Sequence, residues 1–542
     1  MTVFILVSGM FTGSHVWQET AARLTAAGAE AHTVALTGLE GPHGTPNGIQ
    51  NGTPHGAARG TRAAAVDLET HIADVLAVID SIDPVPGRET VLVGHDYGIH
   101  PAVGAADRRA GRVGRIVHLD SGLPRDGVPA LAAVPDPSVR ERCAARAAAG
   151  GHPDEADDGA VPPPARDEWP RWGSTAGVPG PALDRLTALA APQPPGTLLQ
   201  PLRLTGAVAR VPTTGVLCTG NGSSIEMVQM LVGFGDPALQ ALLDPRVTFF
   251  ELPTGHWPML SRPDELTDVL LRAAAGEGHR LEPAGKGATP PHLRPFPLQV
   301  PEVPRERHGN VDLHLPDAEE PRPAVVFVHG GPVPADARPT PRDWPVLTGY
   351  ARYAADKGAV GAVLDHRLHD LADYGRAADD VAAAVELVRS DPRVDADRIA
   401  LWFFSGGGLI AADWLDTPPA WLRCLAATYP VLAPLPNWGL PDSRFQPVRA
   451  VAGAGSPPVV LTRVGREMPE IAATVEEFLA AAEKHGADVE VIDVPHGHHS
   501  FETVDPTDES REAVRHAMRS VLGLVGGAHQ SARPAAPDYR RE

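Results

Sequence analysis

The sequence predicts an α/β protein of two domains, each a mostly parallel sheet flanked by helices. Its 542 residues exceed one ordinary domain and suit two of about 200–280 residues each. Apolar strand-like runs alternate with helical stretches, a pattern that demands right-handed crossovers between parallel strands. The alternation halts in a Pro/Gly-rich stretch and then starts again, so the architecture is duplicated although the sequence is not.

In the first half, FILVSG (4–9) reads as a buried strand, 15–28 as a helix ending at glycine, and AHTVAL (31–36) as a strand. A helix over 67–82 leads to the strand ETVLVG (89–94). GRIVHLD (114–120), TTGVLCTG (213–220) and VTFFELP (247–253) supply further strands. The glycine-rich text of 38–60 lacks G-x-x-x-x-G-K-[ST] and reads as a loop at the edge of a site rather than a phosphate cradle.

Residues 276–304 lack periodicity and read as a linker between domains at 1–275 and 305–527, with 528–542 a disordered tail. In the second half AVVFVHGG (324–331), 359–367, RIALWFFSGGG (398–408), 457–465 and 487–501 read as strands, and 346–358 and 374–390 as helices.

Two turns carry chemistry. VLVGHDYGIH (91–100) has the outline G-x-Nuc-x-G, in which a strand turns sharply into a helix and lifts one side chain, here Asp96. FFSGGG (403–408) repeats the outline with Ser405, although Phe403 stands at the first glycine. A late histidine follows each turn, His256 in TGHWPM and His499 in GHHSFE. The first half runs from 96 to 256 between these features and the second only from 405 to 499. The surplus fits an insertion near 124–205, read as a lid containing Trp169 and Trp172.

With these motifs the chain resembles the α/β-hydrolase fold twice over, across about 4–275 and 305–525. SGMFTGSHVW (8–17), HLDSGLPRDG (118–127) and TGHWPMLSRPDEL (254–266) resemble methylesterase-type hydrolases; GHDYG is similar to the elbow of epoxide hydrolases and dehalogenases. HGG (329–331), FFSGGG and PHGHHSFE (495–502) resemble the dienelactone-hydrolase and esterase branch.

For the second half the resemblance implies a triad in chain order: Ser405 as nucleophile, Glu467 orienting, His499 as base. His496 and His498 are neighbouring alternatives for the base. The backbone N–H groups of Gly406 and Gly331 are the expected oxyanion donors, because Pro332 has no N–H.

For the first half the resemblance implies Asp96 as nucleophile and His256 as water-activating base, with the N–H groups of Met10 and Tyr97 as oxyanion donors. Asn221 stands where the family's acid is expected, which leaves Asp120, with Glu226 as a further candidate. A carboxylate suits in-line attack at a saturated carbon, opening an epoxide or displacing a halide; use of Asp96 as an acid/base in an elimination or cyclisation stays open, as does a site without activity. Up to residue 275 the single tyrosine is Tyr97, so an epoxide opening needs another acid, such as His15 or His100. Trp169 or Trp172 would bind a halide or simply pack.

A net charge of −20 argues against nucleic acid or anionic membrane as partner. Cys143, Cys218 and Cys424 are scattered and odd in number, which indicates neither disulfides nor a zinc cluster. No organic cofactor or metal is implied, and no apolar run approaches the ~20 residues that span a bilayer. The start MTVFILVSG makes a poor signal peptide. The expectation is therefore a cytoplasmic hydrolase acting on small organic molecules, compatible with a homo-oligomer.

Overall fold

The computed structural model describes residues 2–40, 66–148, 159–233, 237–283, 289–440, 443–453, 455 and 457–527. Most of the 38–60 loop and the whole 528–542 tail lie outside these residues. The chain divides into two compact units, Met1–Lys286 with Leu435–Asp442, and Gly287–Pro434 with Ser443–Glu542.

The first unit holds a six-stranded sheet in the order β2-β1-β3-β4-β5-β6. Its strands are β1 Thr2–Val7, β2 Glu30–Thr33, β3 Glu89–His95, β4 Arg115–Leu119, β5 Thr213–Cys218 and β6 Val247–Leu252. Every pairing is parallel. Val3 to Val7 are wholly buried, as expected of a run of β-branched, aromatic and aliphatic residues covered on both faces. β2 lies at the sheet edge, is only half-buried, and stops short of the expected 31–36. The helix Leu68–Ser81 begins on Asp67, whose carboxylate accepts from Thr70 N–H at 2.9 Å and from its hydroxyl at 2.8 Å.

The second unit holds an eight-stranded sheet, β14-β13-β12-β11-β9-β10-β8-β7. Here β7 is Arg305–His308, β8 Val311–His314, β9 Arg322–Val328, β10 Val360–Leu364, β11 Val394–Phe404, β12 Leu422–Thr428, β13 Val459–Arg466 and β14 Val489–His498. β7–β8 and β8–β10 pair antiparallel, and the other pairs are parallel. Periodicity did not reveal three of these strands. β7 is fully exposed and β8 short, while β12 (LRCLAAT) is mostly small residues with weak strand preference.

The stretch expected to be a linker is partly packed. His279 exchanges backbone hydrogen bonds with Phe249 at 2.7 and 2.8 Å in the first unit. In the second, Leu298 is buried and the Phe296 ring lies 5.0 Å from that of Tyr350. Apolar side chains spaced among the prolines drive this docking, which proline content alone conceals.

Parallel strands place their carboxyl ends along one edge of a sheet, where ligand sites of open α/β folds gather. In the first unit that edge carries Met10, Asp96, Asp120, Asn221 and His256. In the second it carries Gly331, Ser405, Tyr429, Glu467 and His499.

Candidate active sites

In the first unit β3 runs into a tight turn, Asp96–Gly98, and then the helix Ile99–Arg108. Asp96 has φ +49°, a left-handed conformation that costs about 1–3 kcal/mol for a non-glycine residue. The flanking glycines make the turn feasible. A Cβ on Gly94 would lie 2.5 Å from Ile99 Cα, and one on Gly98 2.4 Å from the Ser8 carbonyl oxygen. The Met10 N–H donates to Asp96 Oδ2 at 2.9 Å. Of the two expected backbone donors, only Met10 reaches the carboxylate among the described residues. Phe11, next to it, has φ +61° and is held by the segment read from sequence as a lid: its N–H donates to Gln193 Oε1 at 3.3 Å, and its carbonyl accepts from Ala191 N–H at 2.9 Å.

His256 follows β6 and is almost fully buried. Its Nδ1–H donates to Asp120 Oδ2 at 2.7 Å, which leaves the lone pair on Nε2. Burial opposes its charged form, but the hydrogen bond and charge of Asp120, aided by the charge of Asp96, outweigh burial and hold its pKa above the ordinary value. Asp120 also accepts from Cys218 N–H at 3.0 Å and from Asn221 Nδ2 at 2.7 Å. Asn221 Oδ1 in turn accepts from Ser174 N–H at 2.7 Å. Asn221 thus links the lid to the carboxylate without supplying a charge of its own. Glu226 is exposed on the helix Ile225–Gly233 and does not reach His256, because that helix begins beyond the turn carrying Asn221.

The other histidines around the first site are held neutral by burial. His95 donates Nε2–H to the His256 carbonyl at 2.8 Å; burial, then the charge of His256, hold its pKa at about 4. Burial likewise holds His15 and His100 at about 4, so neither is protonated at neutral pH. His71 donates Nε2–H to the Thr37 carbonyl at 2.8 Å, so its Nδ1 accepts the Tyr97 hydroxyl at 2.9 Å. That commits the Tyr97 phenol to the core. The Trp169 indole N–H donates to Thr187 Oγ1 at 2.9 Å, and its ring packs edge-on against Phe11 and Trp257. Trp172 is half-buried with its ring centroid 4.6 Å from that of Phe11. The segment after it closes on the histidine: His256 N–H donates to the Ser174 carbonyl at 2.7 Å, and a Cβ on Gly173 would lie 2.6 Å from His256 Cβ.

In the second unit β11 delivers Ser405 with φ +50°. Ser405 Oγ–H donates to His499 Nε2 at 2.7 Å, and His499 Nδ1–H donates to Glu467 Oε2 at 2.9 Å and Oε1 at 3.0 Å. His499 and Glu467 are both buried. His498 pairs instead with Asp505, and His496 is exposed beside Glu509. Gly331 and Gly406 adjoin so closely that a Cβ on Gly406 would lie 2.4 Å from the Gly331 carbonyl oxygen, and a Cβ on Gly330 would lie 2.8 Å from Ser405 Cβ. Two further residues border this triad. The Tyr429 ring lies 4.7 Å from that of His499, and Glu502, three residues past His499, is completely enclosed. Glu502 stands within GHHSFE, yet a glutamate at the start of a short helix gives no hint of burial. Tyr429 follows the strand that periodicity did not reveal.

Among the described residues no group of three or more His, Cys, Asp or Glu is placed to hold a metal ion, and no helix is long and apolar enough to cross a membrane.

The sheet order and the elbow after a central parallel strand define an α/β-hydrolase fold. Residues 4–269 match the Alpha/beta hydrolase family. The chain is also similar to a carbendazim hydrolyzing esterase from Nocardioides sp. strain SG-4G, 33% identical over 139 residues, 25% of this chain. It spans about half (48%) of that relative's length. Among solved structures it is similar in fold to the esterase Est2 of Thermogutta terrifontis, with 19% identity, a TM-score of 0.35 and coverage of 43% of this chain and 96% of that one. It is similarly related to EstE1, a thermostable carboxylesterase cloned from a metagenomic library, with 20% identity, a TM-score of 0.36 and coverage of 42% and 92%.

Proposed function

We propose that the chain is a two-site hydrolase of small organic molecules, with a serine esterase or lactonase site in the second unit and a carboxylate-nucleophile site in the first. The observation that carries this reading is the unbroken hydrogen-bonded chain Ser405–His499–Glu467. His499 takes the Ser405 proton as Oγ attacks an ester carbonyl, then returns it to the leaving alcohol. Glu467 fixes the tautomer and stabilises the imidazolium. The N–H groups of Gly331 and Gly406 receive the oxyanion, and water then cleaves the acyl-enzyme by the same steps in reverse.

At the first site, Met10 N–H holds Asp96 Oδ2, and the other carboxylate oxygen attacks a saturated carbon in line with its leaving group. An alkyl ester forms on Asp96, and water activated by His256 hydrolyses it at the Asp96 carbonyl carbon, with the Met10 N–H holding the oxyanion. Attack of a carboxylate on an ester would yield an anhydride while expelling a far more basic alkoxide, so it reverts. Electrophiles of the epoxide or alkyl halide type therefore suit Asp96 better than esters. With the Tyr97 phenol bound to His71, Tyr97 does not supply a proton, so the oxygen of an opened epoxide takes one from solvent water, whereas a displaced halide leaves as its anion and needs none.

Single variants test both sites on an aryl ester and on a simple epoxide and alkyl halide. Ser405→Ala is expected to lose ester cleavage alone, and Asp96→Asn to lose displacement alone. Single turnover in ¹⁸O-water should label the Asp96 carboxylate, and an unlabelled Asp96 alongside labelled product would refute the covalent step.

A further inference from the structure

Glu502 is a buried ionisable group of the second unit that this mechanism leaves unused. It is 1% exposed and belongs to the short helix Phe501–Val504 that follows His499. Tyr350, on the helix Pro345–Asp356, donates its hydroxyl to Glu502 Oε1 at 2.9 Å. Oε2 accepts no hydrogen bond of good geometry, although the Tyr429 hydroxyl lies close by. The ionisable groups facing Glu502 are thus Tyr350, Tyr429 after β12, and His499 on its own loop. The helix Asp508–Gly526 offers this core apolar side chains such as Val514 and Met518. Arg294 donates to the Thr503 carbonyl at 3.2 Å, and Asp505 is taken up by His498.

A structural hydrogen bond to Tyr350 would be served equally by glutamine, which carries no ionisation penalty in a dry site. A carboxyl here instead places a second ionisable acid three residues along the chain from His499, in one buried cluster with Tyr350, which donates to it, and Tyr429, whose ring packs on the His499 imidazole. We propose, building on the esterase reading above, that Glu502 is a positioning residue whose ionisation strengthens His499 as the base of the Ser405 site. As an anion it favours the imidazolium that His499 becomes during acylation; as a neutral acid it contributes nothing to that charge.

The range in which this matters is set by burial, which lifts the Glu502 pKa to about 7 against the opposing pull of its own backbone N–H, the two tyrosine hydroxyls and the His499 charge. Ester turnover should therefore carry a step near neutrality that belongs to Glu502.

The test is the pH profile of kcat and KM on an aryl ester between pH 5 and 9, for the full chain, Glu502→Gln and Tyr350→Phe. Glu502→Gln should match the parent at the acid end and fall behind by roughly three- to tenfold above neutrality, in kcat rather than KM. Tyr350→Phe removes a donor to the carboxylate, so the same step should move to higher pH; this variant decides the matter if Glu502→Gln does not fold. Profiles that differ only by a constant factor, or not at all, overturn the proposal. Parent activity that survives Ser405→Ala would refute the esterase reading instead.

Discussion

The backbone N–H of Met10 lies 2.9 Å from Oδ2 of Asp96, so the elbow carboxylate itself fills the backbone donor position at the end of β1. A serine side chain is one atom shorter and uncharged, and would leave that N–H to an incoming carbonyl oxygen. Asp96→Ser should therefore exchange one chemistry for another. In a Ser405→Ala background, which silences the second unit, the variant is expected to lose displacement at saturated carbon. It should gain slow aryl-ester cleavage, at least about tenfold above the Ser405→Ala parent, with His256 as base. A spectrophotometric ester assay reads the gain. No gain would mean that the first site cannot stabilise an acyl oxyanion.

Asp120 sets the pH response of His256. The histidine must be neutral to activate water, and its pKa is held above 6.5. Breakdown of the alkyl-enzyme should accordingly rise along a limb lying above pH 6.5. Asp120→Asn removes the charge that opposes burial, so the limb should move to lower pH while the plateau falls by about 10²–10⁴-fold. Stability changes in a matching sense. A histidine with a raised folded pKa contributes stability that is complete below its unfolded value of 6.5 and fades as pH climbs through the folded value. Urea unfolding across pH 5–9 should show that loss in the parent and a flatter profile in Asp120→Asn.

Asn221 donates to Asp120 and accepts from Ser174, which ties the Ser174 backbone to the carboxylate that holds His256. Asn221→Leu keeps the branched outline but strips a donor from a buried carboxylate and orphans the Ser174 N–H. The expected cost is about 1–3 kcal/mol in urea unfolding, with a fall of about tenfold in kcat at the first site. Asn221→Asp should not restore turnover at neutral pH, because a second carboxylate against Asp120 raises the affinity of the pair for a proton.

These contacts also show why some of the architecture was legible in the sequence and some was not. The elbows are local: Gly94 and Gly98, two residues either side of Asp96, are forced by backbone clashes such as that between Gly98 and Ser8, and the second elbow keeps the glycines after Ser405 although Phe403 replaces the one before it. The central strands are legible from runs such as VFILV, whose burial on both faces leaves them continuously apolar. The partner of His256 is not local. Asp120 lies 136 residues away, and choosing it over Glu226 requires knowing that β4 and β5 are neighbours. Tyr429 and Glu502 escaped for a related reason, since a strand of small residues and a glutamate in a polar loop look solvent-facing until the chain is packed around them.

Gln193 offers a test of whether the lid takes part in the first site's chemistry or merely covers it. Its Oε1 accepts from Phe11 N–H, its Nε2 donates to Thr197 Oγ1 at 2.7 Å, and the residue is wholly buried. With Ala191 holding the Phe11 carbonyl, both peptide groups of a left-handed residue are pinned by the lid, and Met10 immediately precedes it. Releasing one pin lets Phe11 relax toward an unstrained conformation and swings the Met10 N–H away from Asp96. Gln193→Met, similar in length but without the acceptor, should lower kcat at the first site by about 10–100-fold with little change in KM. The Phe11 amide should also exchange faster with deuterium than in the parent. Unchanged Phe11 exchange together with kcat within twofold of the parent would mean that β1 alone fixes the Met10 N–H, and that the lid is only a cover.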